Sequence, residues 1–276
     1  MIETTRGTFE YFERGDGLPM AVTHLYSEFD TRGNAFANPF AMQYKVFLIN
    51  LRGVGASVAA TKESEYSMVE TVKDLEAIRI AFGYNQWAFG GHSTGGMLAL
   101  QYAIQAPHSL TKIIAGGTAA SYQYAEHENC MYNHKNKNFN RITEIMNRLS
   151  DSQTSIEERK KLGYEWALFS YYSEDKLKEA MKKPNSGKTV GERLTYFRQV
   201  DYKQMDFREK LKEVHIPSYI YAGRHDAQCP VQFGIEIAEC IPNAKLTIFE
   251  YSNHFPFLEE EELFNEFVKA TQSVIH

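Results

Sequence analysis

The chain has 276 residues, 43% hydrophobic and 24% charged, with a formal net charge of -5. That length and balance predict an ordinary soluble globule with one large α/β core, or a core carrying an insertion. The acidic excess and the lack of a Lys/Arg-rich block argue against a nucleic-acid partner, and no run approaches the roughly 18 consecutive apolar residues of a membrane helix.

From the N-terminus, "MIETTRGTFEYFERGDG" carries acidic residues and no apolar core, so no signal peptide is expected there. "TFEYFERG" and "LPMAVTH" read as two early strands joined by a Gly/Asp turn. "YKVFLINL" is an apolar strand that ends in the glycine-punctuated loop "RGVGAS". Ser67 with Glu70 three residues later predicts a capping box that opens a helix. The apolar residues Val69, Val72, Leu75, Ile78 and Ile80 fall mainly on one face of that helix, and Gly83 ends it. "QWAFGG" is a short strand, "GGMLALQYAIQA" a helix closed by Pro107, and "LTKIIAGG" a further strand. Strand, helix, strand, helix, strand over residues 44–117 requires crossover connections, hence a parallel sheet with helices on its faces.

Over residues 119–207 the texture turns polar, aromatic and helix-prone, with no apolar strand. The sheet pattern returns at "IPSYIYAGRHD" and "AKLTIFEYSNH", separated by the helix "VQFGIEIAECI" and followed by a terminal helix, "EEELFNEFVKATQSVI". The expected organisation is therefore a core of residues 1–118 and 208–276, with residues 119–207 as a helical cap. Cys130, Cys229 and Cys240 are an odd, widely spaced set without a CxxC pair, which predicts reduced thiols in a cytoplasmic protein. Cys229 is expected to be a small buried hydrophobe.

One stretch carries chemistry. In "WAFGGHSTGGMLALQYA", Ser93 sits in Gly91-His92-Ser93-Thr94-Gly95, between a strand and a helix. Such a turn holds a serine in a strained backbone conformation in which side chains two residues to either side would collide, so the flanking glycines clear space around an exposed hydroxyl. The helix beginning at Thr94 points free N–H groups at that hydroxyl. A serine also needs a base oriented by an acid. Asp226 follows an apolar strand and a glycine, and His254 follows the last strand, giving the order Ser, Asp, His. The oxyanion hole is assigned to the backbone N–H groups of Thr94 and Tyr26, with Leu25 as the alternative to Tyr26. His24 and His92 are read as structural hydrogen-bonding residues. "GGTAAS" and "RGVGAS" lack the Gly-Lys-Ser/Thr ending of a P-loop, and the histidines have no metal-ligand spacing. The aromatic run "YEWALFSYY" is read as the packing face of cap helices, with an acyl pocket as its other use.

With "THLY", "NLRGVGAS", "GHSTGG", "GRHD" and "SNHFPF" in place, the chain resembles the α/β-hydrolase superfamily over nearly its whole length. It looks most like the proline iminopeptidase-like and small-substrate esterase branch with a helical cap. The resemblance implies a mostly parallel twisted sheet flanked by helices, with Ser93 as nucleophile, His254 as base and Asp226 as orienting acid. It also implies a small-molecule substrate and no metal or organic cofactor. Two positions depart from the family pattern. Leu25 and Tyr26 follow His24 where glycines are common. Ala227 follows Asp226 where proline iminopeptidases carry an acid for the substrate amine, leaving Glu126, Glu128, Glu165 and Glu174 as the insertion's candidates for that task. An esterase-like serine hydrolase is the first expectation. An aminopeptidase and a catalytically silent ligand-binding homologue are the alternatives.

Overall fold

A computed structural model describes residues 1–272 of the protein. β1 (Ile2–Thr4) and β2 (Gly7–Phe9) form a small antiparallel pair, and β3 (Tyr11–Arg14) and β4 (Leu18–Val22) follow around the Asp16-Gly17 turn. β3 and β4 are neighbours in sequence but not in the sheet, because β6 (Tyr44–Ile49) lies between them, antiparallel to β3 and parallel to β4. β5 (Ser27–Glu28) lies outside this sheet. With β7 (Trp87–His92), β8 (Leu110–Gly116), β10 (Ser218–Gly223) and β11 (Ala244–Phe249), they form a seven-stranded sheet in the order β3-β6-β4-β7-β8-β10-β11, parallel except for β3.

The period of two along each strand sorts the apolar side chains into two layers. Ala21, Phe47, Phe89 and Ile113 join one cluster with Val72, Leu75 and Ile78 of α1 (Met68–Ala81) and Leu98 of α2 (Thr94–Gln105). Met20, Val22, Val46, Leu48 and Ala88 face the other way, onto the cluster that includes Phe264 and Phe267 of α11 (Glu261–Ala270). The predicted face of α1 is narrower than expected. Val72, Leu75 and Ile78 are buried, whereas Val69 and Ile80 are exposed. Its capping box is half made: Ser67 Oγ accepts from Glu70 N–H at 3.2 Å, but the Glu70 carboxylate takes hydrogen bonds from Arg6 and Lys73 instead. The predicted terminal helix is found as α11, and the last residues of that prediction, 273–275, lie outside the described ones.

Between β8 and β10 the regular structure is helical apart from one two-residue strand: α3 (Phe139–Ser150), α4 (Ile156–Leu168), α5 (Glu174–Ala180), α6 (Gly191–Tyr196), a π-helical turn at Phe197–Asp201, α7 (Tyr202–Gln204) and α8 (Arg208–Leu211), joined by loops. The one extended piece, β9 (Lys188–Thr189), is exposed and pairs with β5, clipping this segment to the loop after β4. α9 (Val231–Cys240) joins β10 to β11, and the short α10 (Pro256–Glu259) precedes α11. No helix among the described residues is long and apolar enough to cross a membrane. β6 lies on one side of β4 and β7 on the other. The carboxyl ends of β4 and β7 therefore flank a topological switch point, where open parallel sheets bind their ligands.

Candidate active site

Ser93 lies at that switch point, between β7 and α2, with φ 56° and ψ −122°. It is the one non-glycine residue with positive φ among those described, a conformation that costs of order 1–3 kcal/mol. The surrounding glycines explain how the fold tolerates it. A Cβ on Gly91 would lie 1.9 Å from the Gly95 carbonyl oxygen, and one on Gly95 would lie 2.4 Å from the Thr23 carbonyl oxygen. Gly95 thus lets the loop after β4 pack against the start of α2. The Thr94 N–H, in the first turn of α2, has no intrahelical acceptor and is free to bind an anion.

The other two predicted side chains meet. His254 Nδ1 lies 2.9 and 3.0 Å from the two carboxylate oxygens of Asp226, and both residues are buried. Asp226 Oδ1 also accepts the N–H groups of Gln228 at 2.8 Å and Cys229 at 2.9 Å, which orient the carboxylate. With Nδ1–H donated to Asp226, Nε2 is left as the basic nitrogen. The His254 ring sits 4.6 Å, centroid to centroid, from that of His92, next to Ser93 in sequence. No hydrogen bond joins Ser93 Oγ to His254 among the described residues.

Residues that sequence reasoning passed over hold the imidazole loop. A Cβ on Gly223 would lie 1.9 Å from the Asn253 carbonyl oxygen, so only glycine lets the loops after β10 and β11 touch. Asn253 Oδ1 accepts from Ala227 N–H at 2.9 Å, tying the two loops together. Glu259, buried, accepts the N–H groups of Asn253, Phe255 and Tyr172. Nothing in "EEEE" marks which glutamate turns inward. The aromatic run "YEWALFSYY" is mostly half-buried, with Tyr172 exposed, and its backbone braces this loop, because Ser170 O accepts His254 N–H at 3.1 Å and Phe169 O accepts from Asn253 Nδ2 at 3.1 Å.

On the oxyanion side, His24 bridges loop and elbow. Its Nε2 lies 3.0 Å from Thr94 Oγ1, and its Nδ1 lies 2.9 Å from Ser27 Oγ and 3.4 Å from Tyr26 N. One neutral tautomer fits all three: Nδ1 accepts from Ser27 and Tyr26, and Nε2–H donates to Thr94. Among the described residues the Tyr26 N–H is therefore held only by a bond at the long limit, which an anionic acceptor would outcompete. The Tyr26 ring packs edge-on against His24 at 4.5 Å and walls the cavity described below. Behind this loop, the buried Arg193 of α6 donates through Nε to Leu25 O and through Nη1 to Arg52 O at 2.9 Å.

Burial, with the charges of His254 and Arg193 nearby, pulls the His24 imidazole down to about 3 from its usual 6.5. Burial also holds His92 well below that value. Between pH 6.5 and 3 the unfolded chain then binds protons that the folded chain excludes, so stability is complete above that window and falls through it. We expect Tm to drop as pH is lowered through this range, and His24→Asn to flatten the dependence in thermal melts. Parallel curves for the two proteins would show that His24 does not titrate this way.

Ser93 and Thr94 open into a cavity of about 340 Å³. Met97, Met146, Leu194 and Phe197 supply apolar wall, and Tyr124, Tyr132 and Tyr202 supply aromatic edges. Much of this lining comes from the helical segment between β8 and β10, whose sequence has no periodic signal for it. Cys229 also lines the cavity as a buried thiol pushed well above its usual pKa by burial, in keeping with an inert small hydrophobe. None of the acidic candidates for amine binding lines it. Glu126 and Glu128 are exposed, Glu165 pairs with Arg141 at 2.6 Å, and Glu174 pairs with Lys178 at 3.0 Å. No group of three His, Cys, Asp or Glu side chains among the described residues is arranged to hold a metal ion.

Comparison with known proteins agrees with this architecture. A family model for the alpha/beta hydrolase fold matches residues 17–261. A hydrolase of the alpha/beta fold family from Bacillus anthracis str. Sterne is 62% identical, with a TM-score of 0.96 over 98% of this chain and 97% of that one. The esterase EaEST from Exiguobacterium antarcticum, 20% identical, superposes with a TM-score of 0.73 over 99% and 98% of the two chains, a likeness of fold alone. A proline iminopeptidase from Saccharolobus solfataricus is 27% identical over 237 residues, covering 79% of this chain and 72% of its own.

Proposed function

This chain belongs to the α/β-hydrolase family and is a hydrolase, and on that premise we propose that it cleaves an ester or amide of a small, partly apolar molecule through an acyl-enzyme on Ser93. The reading rests above all on one observation: the serine held at φ 56° on a glycine-flanked elbow directly follows His92, whose ring lies 4.6 Å from an imidazole hydrogen-bonded to a buried carboxylate. In this reading His254 Nε2 takes the Ser93 proton as Oγ bonds to the substrate carbonyl carbon, and Asp226 stabilises the imidazolium. The N–H groups of Thr94 and Tyr26 hold the oxyanion. The tetrahedral adduct collapses, the bond to the leaving group breaks, and His254 returns the proton to it. Water then repeats the sequence on the acyl ester, giving the free acid and restoring Ser93. Residues 119–207 act as a cap, and their apolar and aromatic side chains bury the acyl part.

The aminopeptidase alternative draws on relatives named proline iminopeptidases. It is the weaker reading, because the cavity at Ser93 presents no carboxylate to a substrate ammonium and one guanidinium against it. A fluorophosphonate probe tests the first reading directly. We expect stoichiometric labelling, located at Ser93 by peptide mass spectrometry and absent in Ser93→Ala. An unlabelled wild-type protein would point to the silent ligand-binding homologue. Nitrophenyl esters of graded chain length, run beside proline amides with free and blocked amines, separate the two enzymatic readings.

A further inference from the structure

Arg198 lines the same cavity as Ser93, and its guanidinium makes no hydrogen bond or ion pair with any described residue. In this it stands apart from the other arginines of the chain. Arg6, Arg32, Arg52, Arg79, Arg141, Arg148, Arg208 and Arg224 each bind a carboxylate, while Arg14, Arg159 and Arg193 donate to backbone carbonyls. Arg198 is exposed, so its fork is open to solvent, and it is the one charged residue among the described ones lining the cavity.

Its place in the fold is specific. Arg198 follows Phe197 in the π-helical turn Phe197–Asp201, a rare geometry that recurs at functional sites. The turn adds Arg198 to Leu194 and Phe197 as cavity-lining residues. Asp201, in the same turn, makes no ion pair with it among the described residues, and its carboxylate accepts the Met68 N–H at 3.1 Å. The Arg198 charge lies close enough to Tyr26 and Tyr132 to favour their ionised forms against burial. Tyr26 is the residue whose N–H is assigned to the oxyanion hole, so the guanidinium and the reacting carbonyl share one chamber. His254, which would protonate the leaving group, does not line that chamber. That arrangement favours the acyl part of a substrate as the occupant of this chamber.

Building on the acyl-enzyme reading above, we propose that Arg198 anchors a carboxylate on the acyl portion of the substrate, so that the preferred substrates are half-esters of dicarboxylic acids. The free carboxylate would take the two parallel N–H bonds of the guanidinium while the intervening methylenes lie against Met97, Leu194 and Phe197. Recognition of this kind also disfavours a substrate carrying an ammonium in the same position.

The experiment compares 4-nitrophenyl hemi-adipate with its neutral methyl ester, which has the same acyl chain without the charge. For the wild type we expect kcat/KM to favour the anionic ester about 10- to 100-fold, the size of a charge-assisted hydrogen bond, mostly through KM. In Arg198→Gln that ratio should fall to about 1, Arg198→Lys should keep part of it, and Arg198→Glu should invert it. Because the readout is a ratio, a general loss of activity in a variant does not mimic the result. Equal rates for both esters in the wild type, or an unchanged ratio in Arg198→Gln, would overturn the anchor and leave the hydrolase reading standing. So would a preference that follows a carboxylate placed on the leaving group. Failure to hydrolyse either ester, with no fluorophosphonate label on Ser93, would overturn the acyl-enzyme reading and this proposal with it.

Discussion

Ser93→Ala is expected to lower kcat on a nitrophenyl ester by about 10⁴- to 10⁶-fold while leaving the fold intact. The change removes one oxygen from a residue whose backbone is held by its surroundings: Ser93 N–H donates to Gly116 O at 2.9 Å, and its carbonyl accepts from Gly96 and Met97. Alanine keeps the positive φ and its strain, so melting should shift little. Ser93→Gly relieves the strain and should melt at or above the wild-type temperature while being equally inactive. That pairing separates loss of the nucleophile from loss of structure. His254→Ala should fall in the same range as Ser93→Ala, because members of a triad act as one unit. Asp226→Asn should lose somewhat less. Its remaining oxygen can still accept from Gln228 and Cys229 N–H, but its amide would present a donor to His254 Nδ1 and so favour the tautomer protonated at Nε2, the wrong one for a base. Steady-state rates on one activated ester, with active sites counted by fluorophosphonate titration, decide the matter. A Ser93→Ala protein that keeps most of its activity would remove Ser93 as the nucleophile.

What could be read from the sequence was whatever the backbone itself demands. An elbow needs small neighbours, and Gly91 and Gly95 announce it, as a Cβ on either would strike main-chain oxygen. Asp226 and His254 were placed because parallel strands deliver their following loops to one edge, so the ends of two late strands must lie near the end of β7. His24 and His92 read as structural hydrogen-bonding residues, and each does hydrogen-bond a hydroxyl, while burial lowers the pKa of both imidazoles. The sequence was silent where a contact joins elements without a shared period. Glu259 is one acid in a run of four, and Glu70 looked like a capping partner until Arg6 and Lys73 competed for it. The cavity lining from Tyr124, Tyr132, Met146 and Tyr202 depends on how short helices pack, and no repeat in residues 119–207 encodes that.

Arg193 is the hardest of these residues to foresee, and replacing it should have the second largest effect. It is an arginine in a short polar helix, 2% exposed, with no carboxylate partner in contact among the described residues. Burial lowers it only to about 10, so it remains charged at neutral pH. Its donors reach Leu25 O, Arg52 O at 2.9 Å and Thr71 Oγ1 at 3.0 Å, and the guanidinium lies 5.3 Å from the Tyr66 ring centroid. One residue of the helical segment thereby fixes three parts of the core. The bond to Leu25 O has a catalytic consequence under the proposed mechanism. In a trans peptide the carbonyl and the next N–H point in opposite directions, so pulling Leu25 O toward Arg193 aims the Tyr26 N–H the other way. Arg193→Met should therefore cost about 3 kcal/mol of stability through carbonyls left buried without donors. It should also lower kcat about 10²- to 10³-fold, the value of one misdirected oxyanion donor, with KM changing far less. Arg193→Lys keeps the charge but cannot reach all three acceptors at once, and should recover only part of each loss. The affinity of a boronic acid that mimics the tetrahedral adduct should fall in parallel with kcat, which a purely structural defect would not require. If Arg193→Met melts lower yet turns over normally, the second oxyanion donor is the Leu25 N–H, and the role of Arg193 is confined to holding α6 against the core.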